Sequence, residues 1–148
     1  MEKDKTQILS IYNETLFVDN ILDQMPELLG KFEKKVLIFK NPKDENNECE
    51  TMLNNMLKAC GIGADDCYMA IIQQQEQTLE LIKRINPEII LSFGIYIANE
   101  VFKLPPKINV VQKINNADVI IAMPLHTMLN DAAAKKSLWE SLKKIFKI

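Results

Sequence analysis

The chain has few of the residues that active sites and metal sites most often use. It contains one histidine, four glycines and three cysteines among 148 residues. Cys49, Cys60 and Cys67 are widely spaced and form no Cys-x-x-Cys pair, so we expect neither a structural zinc site nor a disulfide framework. The sequence therefore predicts no bound metal and no cofactor.

Long apolar runs are also missing. No run approaches the roughly 18 residues that a membrane-spanning helix needs, and the charged start of the chain is not followed by the apolar core of a signal peptide. We therefore expect a cytoplasmic protein without membrane contact.

The charge is nearly balanced. A net charge of −2, from 18 basic and 20 acidic residues, does not favour strong non-specific binding to nucleic acid. Lys135 and Lys136 leave a weak DNA-contacting patch open, although a solvated helix face is the simpler interpretation of this pair.

Short apolar runs alternate with helical patterns from residue 35 onward. Buried strands are predicted at residues 35–40, 67–72, 88–93 and 119–122, with a short extended piece at 108–111. Helices are predicted at residues 50–60, at 75–85, after Gly94 and at 130–145. This alternation is typical of an α/β fold, and we expect a four-stranded, mainly parallel sheet covered by helices on both faces.

Residues 1–33 have a different character from the predicted α/β domain at residues 34–148. Helical patterns at residues 5–13 and 20–30 flank a dense apolar cluster. One interpretation is a helical layer packed on the sheet, and the other is an arm that docks into a groove on a partner. The apolar anchors of such an arm would be Ile8, Ile11, Tyr12, Leu16 and Phe17.

The C-terminal stretch from Met123 to Trp139 resembles the closing motif of the uracil-DNA glycosylase superfamily. Its apolar pair Met128-Leu129, the helix cap Asp131, the basic pair and the tryptophan stand at the family's spacing. Residues 50–62, 65–72 and 87–94 resemble three further family segments in the same order. The resemblance covers about 110 residues and implies the family's three-layer α/β/α fold.

The residues that perform the family's chemistry do not match. The family has a glycine-rich loop after its first strand, whereas residues 39–44 contain no glycine, and its base-recognising asparagine falls at Ala70 or Ile71. Pro124 stands where the family has its catalytic histidine. Base excision needs groups that hold the extruded base and stabilise the departing anion, so these differences argue against glycosylase activity.

Three residues remain as weak catalytic candidates. His126 lies two residues beyond the family's histidine position, and Asn41 and Asp44 lie on the loop after the first strand. Imidazole chemistry suits proton transfer near neutral pH. The simpler interpretations are an exposed or capping histidine and, for Asp44 and Glu45, an ordinary solvated turn.

A non-catalytic branch of the same fold is also similar to this chain. The psi subunit of bacterial DNA polymerase III has a comparable size, a similar proline-to-tryptophan ending and an N-terminal arm that reaches into the clamp loader. This resemblance implies a protein–protein interaction module with clamp-loader or other replication proteins as partners and weak or indirect DNA contact. Two alternatives stay open: an active glycosylase or nucleotide-binding enzyme, and a scaffold that has kept only the fold.

Overall fold

The structure is a computed structural model that describes residues 28, 30–74, 76–95, 107–114 and 116–148. Strands and helices alternate along this part of the chain, as the sequence predicts for an α/β fold. The strands are β1 (Val36–Lys40), β2 (Cys67–Ile71), β3 (Ile89–Phe93), β4 (Gln112–Ile114) and β5 (Ala117–Ala122). The α-helices are α1 (Asn47–Ala59), α2 (Glu76–Ile85), α3 (Leu125–Met128) and α4 (Ala132–Phe146), with 3-10 turns at Pro42–Asp44 and Ala64–Asp66.

The sheet has five strands in the order β2-β1-β3-β5-β4. The first four are mutually parallel, and β4 pairs with β5 in the antiparallel sense. The expectation of four strands was therefore wrong. The missed strand β4 is only three residues long and has a single fully buried side chain, Ile114, so it carries too little apolar pattern to stand out. The extended piece expected at residues 108–111 forms only an isolated bridge between Ile108 and Ile121.

The strands are apolar on both sides because both faces of the sheet are covered. Val36 and Ile38 of β1 join an apolar cluster with α1, α3 and α4, while Leu37 and Phe39 join a second cluster with α2. Successive side chains of a strand point to opposite faces, so the two clusters lie on opposite sides of the sheet. Parallel strands that are buried on both faces consist of continuous hydrophobic runs, and the sequence shows such runs in these strands.

Side-chain caps fix the starts of the two longest helices. Asn46 accepts the backbone N–H of Cys49 at 2.9 Å at the start of α1, and Asp131 accepts the N–H of Ala134 at 3.0 Å at the start of α4. The predicted cap at Asp131 is thus confirmed. Each cap satisfies one of the amide groups that have no partner inside the helix.

The described residues just before β1 pack onto the face that carries α2. Leu28 and Phe32 contact the second apolar cluster, and the Phe32 ring stacks on Tyr68 with centroids 4.6 Å apart. The five predicted arm anchors and the helix expected after Gly94 lie outside the described residues. Within the described ranges, no helix is long and apolar enough to cross a membrane.

Candidate functional site

The candidate site lies where the parallel strands end. After β1 the chain builds β2 on one side of that strand and then returns to build β3 on its other side. Open α/β sheets bind ligands outside the carboxyl ends of their strands at such a reversal of strand order. The loop after β1 and helix α3, which follows β5, meet at this edge.

Asp44 is the central group of this edge. Its side chain is 0% exposed, and its two oxygens accept the backbone N–H groups of Leu125 and His126, both at 2.9 Å. Pro124, the residue before α3, provides no side-chain cap, so Asp44 supplies the cap from the loop after β1. The expectation that Asp44 belongs to a solvated turn was therefore wrong, because its carboxylate is buried as the cap of another element. Glu45 is exposed, as expected.

The imidazole of His126 contacts the same carboxylate. Its Nδ1 lies 2.6 Å from Oδ1 of Asp44, and its side chain is 40% exposed. An ionised carboxylate can only accept hydrogen bonds, so Nδ1 is the donor in this contact and Nε2 is the ring nitrogen left for other partners. Asp44 and His126, two of the three weak catalytic candidates, are thus brought together.

Asn41, the third candidate, has a local structural role. Its side-chain oxygen accepts the backbone N–H of Lys43 at 3.0 Å and thereby caps the 3-10 turn that carries Asp44. The cap formed by Asn41 is local, and an asparagine directly before a proline was the sequence signal for it. The role of Asp44 could not be predicted in this way, because it depends on α3, 81 residues further along the chain.

Pro124 packs against the exit of β3 at the same edge. The N–H of Gly94 donates to the carbonyl of Ala122 at 2.8 Å, and Gly94 has a φ of 77°. A Cβ atom at Gly94 would lie 2.6 Å from Cγ of Pro124. Pro124 therefore lies in a close contact with the end of β3 that only a glycine at position 94 permits.

Lys40 is a residue of this edge that the sequence did not single out. It ends β1 and is only 6% exposed. Val36, Ile38 and Lys40 stand at alternate positions of β1, so the three side chains point to the same face of the sheet. That face carries α1 and α3. The sequence contained a signal for this position, because the lysine falls two residues after a buried residue of the predicted strand.

The thiol of Cys49, in the first turn of α1, is buried near Asp44 and Lys40. Burial raises its pKa, the hydrogen bond with Asn46 lowers it, and the nearby charge of Asp44 raises it further. The thiol is therefore held protonated, and a protonated thiol is a poor nucleophile and a poor metal ligand. Within the described part of the chain, no group of three histidine, cysteine, aspartate or glutamate side chains is placed to hold a metal ion.

A separate groove runs between α1 and α4. Apolar side chains line it, most of them half-buried, and its two adjoining parts have volumes of about 570 Å³ and 270 Å³. Its apolar lining residues are Met52, Met56, Ala59, Leu129 and Trp139. Of the weak DNA-binding pair, Lys135 lines this groove and Lys136 is exposed on the outside of α4.

Comparison of the sequence with protein families and with curated proteins found no match in either set.

Proposed function

We propose that this chain is a non-catalytic protein–protein interaction module with a three-layer α/β/α fold of the uracil-DNA glycosylase type. Its concrete form would be a psi-like accessory subunit of the DNA polymerase III clamp loader. The apolar clusters on opposite faces of one sheet support the layered arrangement. The resemblance of the C-terminal stretch supplies the partner class.

The burial of Asp44 carries the non-catalytic part of the proposal. A carboxylate that activates water or stabilises a sugar cation must reach the substrate. The Asp44 side chain is 0% exposed, and its oxygens are taken up by two amide groups and an imidazole of the protein itself. Its geometry is that of a structural cap between the loop after β1 and α3.

The groove between α1 and α4 supports the interaction part. Met56 and Trp139 are only half buried although they pack against the apolar core, so part of their apolar surface faces the groove. Partly exposed methionine and aromatic side chains in a concave surface are typical anchors for a partner. The predicted arm anchors Ile8, Ile11, Tyr12, Leu16 and Phe17 would form a second contact, as the psi-like resemblance implies.

Capture of replication proteins from a lysate of the native host tests this proposal. The full-length protein and a full-length Leu16→Asp, Phe17→Asp variant would be immobilised, and the retained proteins would be quantified by mass spectrometry. We expect the unaltered chain to retain clamp-loader subunits and the variant to retain about tenfold less, because two apolar anchors become charged. Retention of no replication protein by the unaltered chain would reject the psi-like function.

The contact between Asp44 and His126 favours one alternative, an enzyme of the same superfamily. A buried aspartate that orients a partly exposed imidazole is an arrangement that general bases use. A base-release assay on uracil-containing DNA tests it directly. The enzyme alternative requires release that depends on enzyme concentration and disappears in His126→Ala, and the non-catalytic proposal requires no release above buffer.

A further inference from the structure

Lys40 occupies a position that the sheet otherwise fills with apolar residues. On the face that carries α1 and α3, the last residues of the neighbouring parallel strands are Ile71, Phe93 and Ala122. Phe93 and Ala122 belong to the apolar core on that face. A lysine at the end of the interior strand β1 therefore places an ammonium group at the boundary between the core and the carboxyl edge of the sheet.

The Lys40 side chain is largely buried, and its charge has no close partner within the part of the chain that the structure describes. The residue is 6% exposed, and among the described residues none forms a hydrogen bond or an ion pair with its ammonium group. Buried lysines are uncommon unless they are paired, because removal of an ammonium group from water is costly. Such lysines usually bury the aliphatic part of the side chain and extend the ammonium group to the surface. There the ammonium group can bind water or an anion.

The carboxylate of Asp44, on the loop after β1, is engaged by groups other than this lysine. The oxygens of Asp44 already accept two amide groups and the imidazole Nδ1. No ion pair joins Asp44 and Lys40, whereas the His126 contact at 2.6 Å leaves Nε2 of the ring available on the partly exposed side. Two nitrogen groups that can donate to an oxyanion, the ammonium and a protonated imidazole, therefore stand at the same edge.

We propose that the carboxyl edge between β1 and α3 binds a phosphate group, with Lys40 as the charged contact and His126 as the second donor. Lysine is a common phosphate ligand and acts as a point charge, and a reversal of strand order is where open α/β sheets place such ligands. The phosphate is either a free or terminal monoester or an internucleotide phosphate of DNA. This site is independent of the proposed protein contact, because the lining of the groove includes neither Lys40 nor His126.

A phosphate titration of the full-length protein tests the site. Melting temperatures would be compared in orthophosphate and in chloride of equal ionic strength, and a ¹⁵N-labelled sample would be titrated with orthophosphate by NMR. The test variant is Lys40→Met, which keeps the aliphatic stem and removes the charge. The matched control is Lys43→Met, which removes an exposed lysine from the loop directly after β1.

We expect orthophosphate to raise the melting temperature of the unaltered protein and of Lys43→Met, and to shift amide signals around Lys40 and His126. Loss of the charged contact should weaken phosphate binding about tenfold or more in Lys40→Met. Thymidine 5′-monophosphate and an oligothymidylate without terminal phosphates would then show which source competes for the site. Equal melting in phosphate and chloride, or the same phosphate affinity in Lys40→Met, would overturn the proposal. If Lys40→Met does not fold, the NMR titration of the unaltered protein still tests the site. Phosphate-dependent shifts centred away from Lys40 and His126 would also overturn the proposal.

Discussion

The carboxylate of Asp44 accepts the backbone N–H of Leu125 at 2.9 Å, across 81 residues of sequence. This bond joins the loop after the first strand to the helix after the last one. The Asp44 side chain holds the backbone of these two segments together, so the stability of this edge should depend on it.

Replacement of Asp44 by asparagine should destabilise the fold. An asparagine side chain has one acceptor oxygen, so it cannot serve both amide groups and the imidazole. An unpaired buried amide costs about 1–3 kcal/mol, and we expect the free energy of unfolding in urea to fall by that amount. Glu45→Gln changes an exposed neighbour and should stay within about 0.5 kcal/mol of the unaltered protein. Equal stability of the two variants would show that the Asp44 cap contributes nothing.

His126 should be coupled energetically to Asp44. His126→Ala leaves the two amide bonds to Asp44 in place, so we expect a smaller loss of stability than in Asp44→Asn. Residues in direct contact typically show coupling energies of about 0.5–3 kcal/mol. Urea unfolding of both single variants and of the double variant gives this coupling energy. If the losses of stability in the two single variants add up to that of the double variant, the 2.6 Å contact between His126 and Asp44 contributes no coupling energy.

Gly94→Ala should destabilise the protein more than Gly61→Ala. The two glycines have nearly the same left-handed backbone, with φ of 77° and 78°, so alanine is strained at both. A Cβ atom at Gly94 would lie 2.6 Å from Cγ of Pro124, whereas one at Gly61 would meet nothing within 4 Å. The difference between their melting temperatures therefore isolates the clash with Pro124. If both alanines lower the melting temperature equally, β3 and Pro124 are not in the close contact described above.

The stability of the protein should fall at alkaline pH through Cys67. Burial, with a smaller effect of Asp66, raises the pKa of this thiol from 9.0 to about 11 in the folded protein. The unfolded chain loses this proton at lower pH than the folded one, so the stabilising effect is complete below pH 9.0 and is lost as the pH rises towards about 11. Urea unfolding at several pH values in this window measures the loss, and Cys67→Ala should lose less. The same dependence in both proteins would assign the alkaline effect to other groups.

The sequence predicted most of the fold and little of the site. Periodicity located β1, β2, β3, β5 and helices α1, α2 and α4, because apolar patterns in these segments reflect local geometry. Edge strand β4 was missed because its three residues carry one fully buried side chain. The Asp44 cap and the position of Lys40 depend on contacts between segments far apart in sequence. A polar loop such as the one that carries Asp44 looks the same in sequence whether it is solvated or buried.

The affinity of the purified clamp loader of the native host for this protein tests the central claim most directly. It would be measured by interferometry with the unaltered chain, with Met56→Lys in the groove and with Asn54→Lys, an exposed position on the same helix. We predict saturable binding that is unaffected in Asn54→Lys and at least about tenfold weaker in Met56→Lys, which corresponds to about 1.4 kcal/mol. Absence of binding by the unaltered chain would contradict a psi-like function, and equal affinities of the three proteins would contradict a contact through the groove.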